Sequence, residues 1–179
     1  MKADAPPIRA LTIEQIDDAE QYSALLEALD SQLSLRDLQF VNRPWLTPAT
    51  VIAEKRSLQK SIAIAVRQGM DSTTALGTAY EVVVGARGDD YVAFLAGSIR
   101  RKSGHAIVAV MGRLESARGL GAGQVLLDAF VEIARVQGCT HIRAKLDSEP
   151  AGLEHRQQRA TKYGFGPCSE NPGFICKAI

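Results

Sequence analysis

Arg118-Gly119-Leu120-Gly121-Ala122-Gly123 sets three glycines at alternate positions directly ahead of a segment with helical periodicity. From Ala122 the apolar residues fall at Val125, Leu126, Ala129, Phe130, Ile133 and Ala134, the i, i+3, i+4, i+7 spacing of one buried helical face. Gly138 follows as a C′ residue that ends the helix. Glycines remove the Cβ atoms that would hold a ligand away from the backbone, and first-turn N–H groups have no helical partner. Those groups and the positive end of the helix dipole point at an arriving anion, so the junction predicts a phosphate site.

The flanking segments define the unit. Ala106-Ile107-Val108-Ala109-Val110-Met111 is short, apolar and β-branched and reads as a buried strand that reaches the glycines through residues 112–117. After the helix, Ile142, Ala144 and Leu146 alternate with His141, Arg143 and Lys145, a strand with one buried face. A helix between two strands predicts a parallel crossover. A kinase-type P-loop requires Lys and then Ser or Thr after its last glycine, whereas Gln124-Val125 stand here. A dinucleotide fingerprint would read G-x-G-x-x-G, whereas this chain has G-x-G-x-G and too little sequence after Gly123 for a doubly wound sheet.

A third pattern fits at every specified position. Arg118-x-x-Gly121-x-Gly123 matches (Gln or Arg)-x-x-Gly-x-(Gly or Ala), and the chain resembles the GNAT N-acetyltransferase superfamily in this acyl-CoA loop. From 80 to 165 the order strand, strand, strand, glycine loop, helix, strand, helix, Gly164-Phe165 is also the order of that family. The resemblance implies an α/β (α+β) fold: a mixed, mostly antiparallel central sheet, splayed between the fourth and fifth strands and flanked by helices.

Composition agrees with one domain over residues 1–179: at 46% hydrophobic residues the chain can bury its own core. A net charge of +1 gives no general reason to expect a nucleic-acid or membrane partner. Residues 1–7 lack an apolar leader and no run reaches membrane-span length, so a cytoplasmic protein is expected. Cys139, Cys168 and Cys176 form no C-x-x-C pair; the expectation is three small buried thiols, with no disulfide framework and no metal.

Elsewhere, residues 8–12 read as a first strand and 14–33 as a helix with Ile16, Ala19, Tyr22, Leu25, Leu26 and Leu29 on one face. Thr47-Pro48 opens a second helix that stops at Gly69, and 71–74 form a loop. Residues 81–86 and 91–99 are strands joined by a turn at 87–90, 101–104 turn again, a last helix follows Ser148-Glu149-Pro150, and 174–179 close the sheet.

The resemblance implies transfer of an acetyl or short acyl group from acetyl-CoA or another acyl-CoA to a primary amine. Carried onto this sequence, pantetheine contacts fall at Met111, Gly112 and Arg113. Diphosphate contacts fall at Gly119, Leu120, Gly121, Ala122, Gly123 and Gln124, with Arg118 beside them. Such a reaction needs a neutral amine, a polarised carbonyl and a stabilised thiolate. Glu115, between the strand end and the loop, is the first candidate base, and Glu149, after the neighbouring strand, the second. Family members often end Asn-x-x-Ala-x-x-Phe-Tyr-x-x-x-Gly-Phe, where the Tyr serves as acid; here Leu153, Arg156, Arg159 and Ala160 occupy the four named positions ahead of Gly164-Phe165. Tyr163, three residues beyond the usual Tyr position, is the substitute candidate.

The segment 35–46, with Phe40, Arg43 and Trp45, is the expected acceptor-site region. His105 and His141 read as a turn and an exposed strand residue, and the basic stretch 155–162 as a solvated helix face. A homodimer is common for such domains. Two alternatives stand beside the acyltransferase: a non-catalytic acyl-CoA sensor, to which the absent Asn and Tyr point, and an enzyme whose acceptor is linked to nucleic acid, such as an aminoacyl-tRNA, held by Arg156 and Arg159.

Overall fold

Alternating side chains build the sheet that carries everything else. The computed structural model describes residues 6–33, 67–68, 78–145, 153–170 and 174–179. The segment 35–46, most of the helix expected from Thr47-Pro48, the 71–74 loop and Glu149 lie outside them. The strands are β1 (Ile8–Thr12), β2 (Thr78–Arg87), β3 (Asp90–Arg100), β4 (His105–Arg113), β5 (His141–Lys145), β6 (Gly166–Pro167) and β7 (Phe174–Ala178). They form one sheet in the order β1-β2-β3-β4-β5-β7-β6. Only β4 and β5 pair in parallel; the other neighbours are antiparallel.

The three described α-helices are α1 (Ala19–Leu33), α2 (Ala122–Val136) and α3 (Leu153–Lys162). Period-two alternation sends Val83, Leu95 and Ile142 to one face, against Leu126, Leu127 and Phe130 of α2. Val82, Val84 and Phe94 go to the other, against Tyr22, Leu25 and Leu29 of α1. Each of these large apolar side chains contributes about 1.5–3 kcal/mol on burial.

Two details shape the site. Across β3 and β4, Ala96 pairs with Val110 and Gly97 with Val108, so Ala109 is the extra residue of a bulge that bends β4. Gly97 faces this bulge, and a Cβ there would strike the Ile107 carbonyl and lie 2.6 Å from Phe130 Cζ. The glycine thus lets α2 press its phenylalanine onto the sheet. Gly138 (φ 84°) ends α2 as the sequence predicts, with Gly138 N–H donating to Arg135 O and Cys139 N–H to Ala134 O.

Several boundaries differ from the sequence reading. The helix expected from 14 starts at Ala19, after a 3-10 turn at Ile13–Gln15. Asp18 caps it, accepting from the Gln21 amide at 2.9 Å, and these bonds hold the Asp18 carboxyl below its ordinary value. The strand expected to end at Met111 runs to Arg113. Cys168 and Cys176 form a disulfide (Cα–Cα 5.1 Å), which corrects the expectation of three free thiols; Cys139 is free and buried. The pair escaped notice because its partners face each other only once the two-residue β6 folds against β7.

Candidate active site

Among the described residues, the crossover between β4 and β5 leaves an opening. The two strands pair from His105↔His141 to Val108↔Ala144 and no further, while β4 continues to Arg113. Met111, Gly112 and Arg113 pair on their other side with Leu95, Phe94 and Ala93. Among the described residues, their β5 side has no strand partner, which leaves an edge able to bind an extended amide chain. The three residues expected to contact pantetheine are therefore consecutive on that edge.

Beyond β4, a 3-10 turn at Glu115–Ala117 leads into the glycine loop. Ala117 and Ala122 are buried and pin the two ends of the loop to the core. Gly119 (φ 75°) and Gly121 (φ 74°) are left-handed, and a Cβ on either would meet nothing within 4 Å. These two glycines are there for backbone conformation and for open space in front of it. Leu120 N–H donates to Ala117 O, and Gln124 and Val125 donate to Gly121 O. The N–H groups of Gly119, Gly121, Ala122 and Gly123 take no backbone partner among the described residues. N–H groups in such a place, at a helix N-terminus, are donors open to an anion. The Gln124 amide, expected in that set, is engaged with Gly121, and its side chain donates to Asp128 at 2.7 Å.

Gly123 has another function. A Cβ at this position would fall on the Tyr163 hydroxyl, 3.2 Å from Tyr163 Cζ and 3.6 Å from Met111 Cε. Tyr163 thus reaches from the end of α3 to the first turn of α2, beside the free edge of β4. Sequence reading named Tyr163 without this contact, which joins residues 40 positions apart and leaves no local signal.

The charged side chains form a short chain. Arg118 Nη1 lies 3.0 Å from Glu115 Oε1, and Arg113 Nη1 lies 3.9 Å from Glu115 Oε2. Glu115 and Arg118 are 77% and 71% exposed, so in water the pair contributes about 0–1 kcal/mol and a stronger anion can compete for the guanidinium. The i, i+3 spacing of Glu115 and Arg118 is the signal that could have revealed the pair. Arg87 Nη1 donates to Ser116 O at 3.4 Å and ties the loop to β2.

The basic residues of α3 include Arg159, whose guanidinium lies 3.0 Å from His155 Nε2. His105 and His141 lie at the first positions of β4 and β5, the end of the parallel pair away from the opening. Among the described residues, no group of three or more His, Cys, Asp or Glu could hold a metal, and no helix is long and apolar enough to cross a membrane.

Residues 49–165 match the sequence model of the Acetyltransferase (GNAT) family, more than half of the chain, and the protein belongs to that family. Solved structures agree in fold. Ard1 from Thermoplasma volcanium is 17% identical, with 98% of each chain covered and a TM-score of 0.55. An acetyltransferase of the GNAT family from Staphylococcus aureus Mu50 is 9% identical, covering 96% of this chain and 98% of that one, with a TM-score of 0.59. A tandem GNAT protein from the clavulanic acid biosynthesis pathway is 18% identical at a TM-score of 0.53, over 90% of this chain and 44% of that one. No curated protein matches the sequence. At these identities the structural likeness establishes the fold alone.

Proposed function

We propose that residues 1–179 form a single acyltransferase domain that moves an acetyl or short acyl group from acyl-CoA to a primary amine. The observation that carries this reading is the junction of two features. Four loop and helix amides without backbone partners among the described residues stand around two left-handed glycines, and the loop follows a β4 edge that β5, His141–Lys145, does not cover. Acyl-CoA combines a diphosphate with an amide-bearing pantetheine arm, so it matches both features at once.

In this reading Gly119, Gly121, Ala122 and Gly123 donate their N–H groups to the diphosphate, with Leu120 and Gln124 completing the loop and Arg118 adding its guanidinium. Met111, Gly112 and Arg113 bind pantetheine through the backbone and direct the thioester along the β4 edge. Arg118 turning to phosphate releases Glu115, which then accepts the proton of the incoming ammonium so that the neutral amine attacks the carbonyl. Glu149 is the second carboxylate proposed for that task. The tetrahedral adduct collapses with cleavage of the C–S bond; Tyr163 gives its proton to the departing thiolate and takes back the surplus proton of the adduct nitrogen, so that CoA leaves as the thiol and the product is the neutral amide. We also take the enzyme to be cytoplasmic and homodimeric, the latter on the prevalence of two-fold dimers; sedimentation velocity checks the dimer.

The test is release of free CoA thiol from acetyl-CoA with and without a panel of small amines. Amine-dependent release supports the acyltransferase. Tight acetyl-CoA binding with no release from any amine, peptide or aminoacyl-tRNA favours the sensor instead, in keeping with Leu153 and Ala160 at the usual Asn and Tyr positions.

A further inference from the structure

The end of α3 is held by two devices. The first is local: Gly164 N–H donates to Thr161 O and Phe165 N–H to Ala160 O, with Gly164 left-handed at φ 83°. This is a Schellman motif, and buried Phe165 and partly buried Ala160 belong to the same apolar cluster. It leaves the Tyr163 carbonyl among the unpaired groups of the helix end. The second device comes from 14 residues along the chain: Lys177 Nζ donates to Tyr163 O at 3.0 Å. A Cβ on Gly164 would lie 3.5–3.7 Å from the end of this lysine, an ordinary van der Waals contact, so it is the left-handed backbone that calls for glycine at 164.

Lys177 has a firm base. It pairs with Ile142 of β5, and its neighbour Cys176 is bonded to Cys168 and faces Gly166 of β6. A cation at this point also complements the negative end of the α3 dipole. One residue connects this clamp to the glycine loop: Tyr163, whose carbonyl receives the ammonium and whose hydroxyl lies against Gly123. We infer that Lys177 is a positioning residue that fixes the Tyr163 phenol at the first turn of α2, where it meets acyl-CoA. This inference rests on the acyl-CoA reading of the loop and adds to it a residue of the last strand.

The test is a double-mutant cycle on CoA affinity, measured calorimetrically with free CoA on the full chain. Tyr163→Phe should weaken binding about tenfold, the value of a hydrogen bond to a charged or polar ligand group. Lys177→Met should weaken it by roughly half that factor or more, and Lys177→Arg, which keeps charge and donor, should restore it to within about twofold. The double variant Lys177→Met with Tyr163→Phe should bind no worse than Tyr163→Phe alone. Thermal melts will show lower stability for Lys177→Met, because the lysine also caps α3; coupling in the cycle separates positioning from that general effect. Multiplicative losses in the double variant, or wild-type affinity in Lys177→Met, overturn the inference and leave the loop assignment intact. A folded wild-type protein that does not bind CoA overturns the acyl-CoA reading and this inference with it.

Discussion

The Tyr163 hydroxyl lies against Gly123, in the place that a Cβ on residue 123 would occupy. The contact separates the three glycines of the loop by purpose. Gly119 and Gly121 have positive φ and empty space in front of them, whereas Gly123 is hemmed in by a phenol from another helix. One motif therefore combines two glycines for backbone shape with one for helix-to-helix approach.

Gly123→Ala should consequently destabilise the fold by about 1–3 kcal/mol, the usual cost of overpacking. Part of that loss should return in the Tyr163→Phe background, where the clashing oxygen is gone. Denaturant unfolding of the two single variants and the double variant checks this; equal losses in both backgrounds would contradict the contact.

Tyr22 offers the opposite case. Its side chain is fully buried, edge-on to Phe94 at 6.3 Å, with no hydrogen-bond partner for the hydroxyl among the described residues, and burial pushes the phenol far above its ordinary value. Tyr22→Phe keeps the ring and removes the unsatisfied group, so stability should rise by about 1 kcal/mol. A lower melting temperature would show that the hydroxyl has a partner in solution.

Much of the fold was legible because its signals are local. The α2 stripe, the alternation of β5, the turns at 87–90 and 101–104 and the glycine loop each declare themselves within a dozen residues. Asp18-x-x-Gln21 is also a local capping signal, and reading it would have started α1 at Ala19 rather than at 14. The clamp of Lys177 on Tyr163, the Cys168–Cys176 bridge and the approach of Tyr163 to Gly123 depend on β7 entering beside β5, a tertiary event without sequence periodicity.

His105 should make stability depend on pH. Arg143 Nη2 lies 2.9 Å from His105 Nε2, and a guanidinium only donates, so the imidazole accepts there and is neutral. Burial first, then Arg143 and His141, hold its pKa below 6.5, with Glu170 and the Ser103 backbone opposing. As pH falls through 6.5 toward the folded value, the unfolded chain takes the proton and the folded chain does not, so stability is lost on acidification. Melting temperatures across this range should fall less steeply for His105→Gln than for wild type. Parallel curves would exclude the histidine as a contributor.

The disulfide predicts a thiol count. Cys139 is buried and burial raises its thiol pKa, so a thiol reagent should label nothing in the native oxidised protein and Cys139 alone after unfolding. Reduction should lower stability by about 2.5 kcal/mol, the loop-closure term for a separation of eight residues. Three labelled cysteines in unreduced, unfolded protein would contradict the bridge.

The central claim, that the glycine loop holds acyl-CoA, is tested most directly by calorimetric titration of acetyl-CoA into wild type, Gly121→Asn and Gly121→Asp. Asn and Asp are nearly isosteric and both tolerate the left-handed backbone at 121, so the pair differs chiefly in charge. The account predicts binding by wild type, binding within a few-fold of it by Gly121→Asn, and a loss of roughly a hundredfold by Gly121→Asp, from a carboxylate set against the diphosphate. Equal affinity of the Asp and Asn variants, or no binding by the folded wild-type protein, would contradict it.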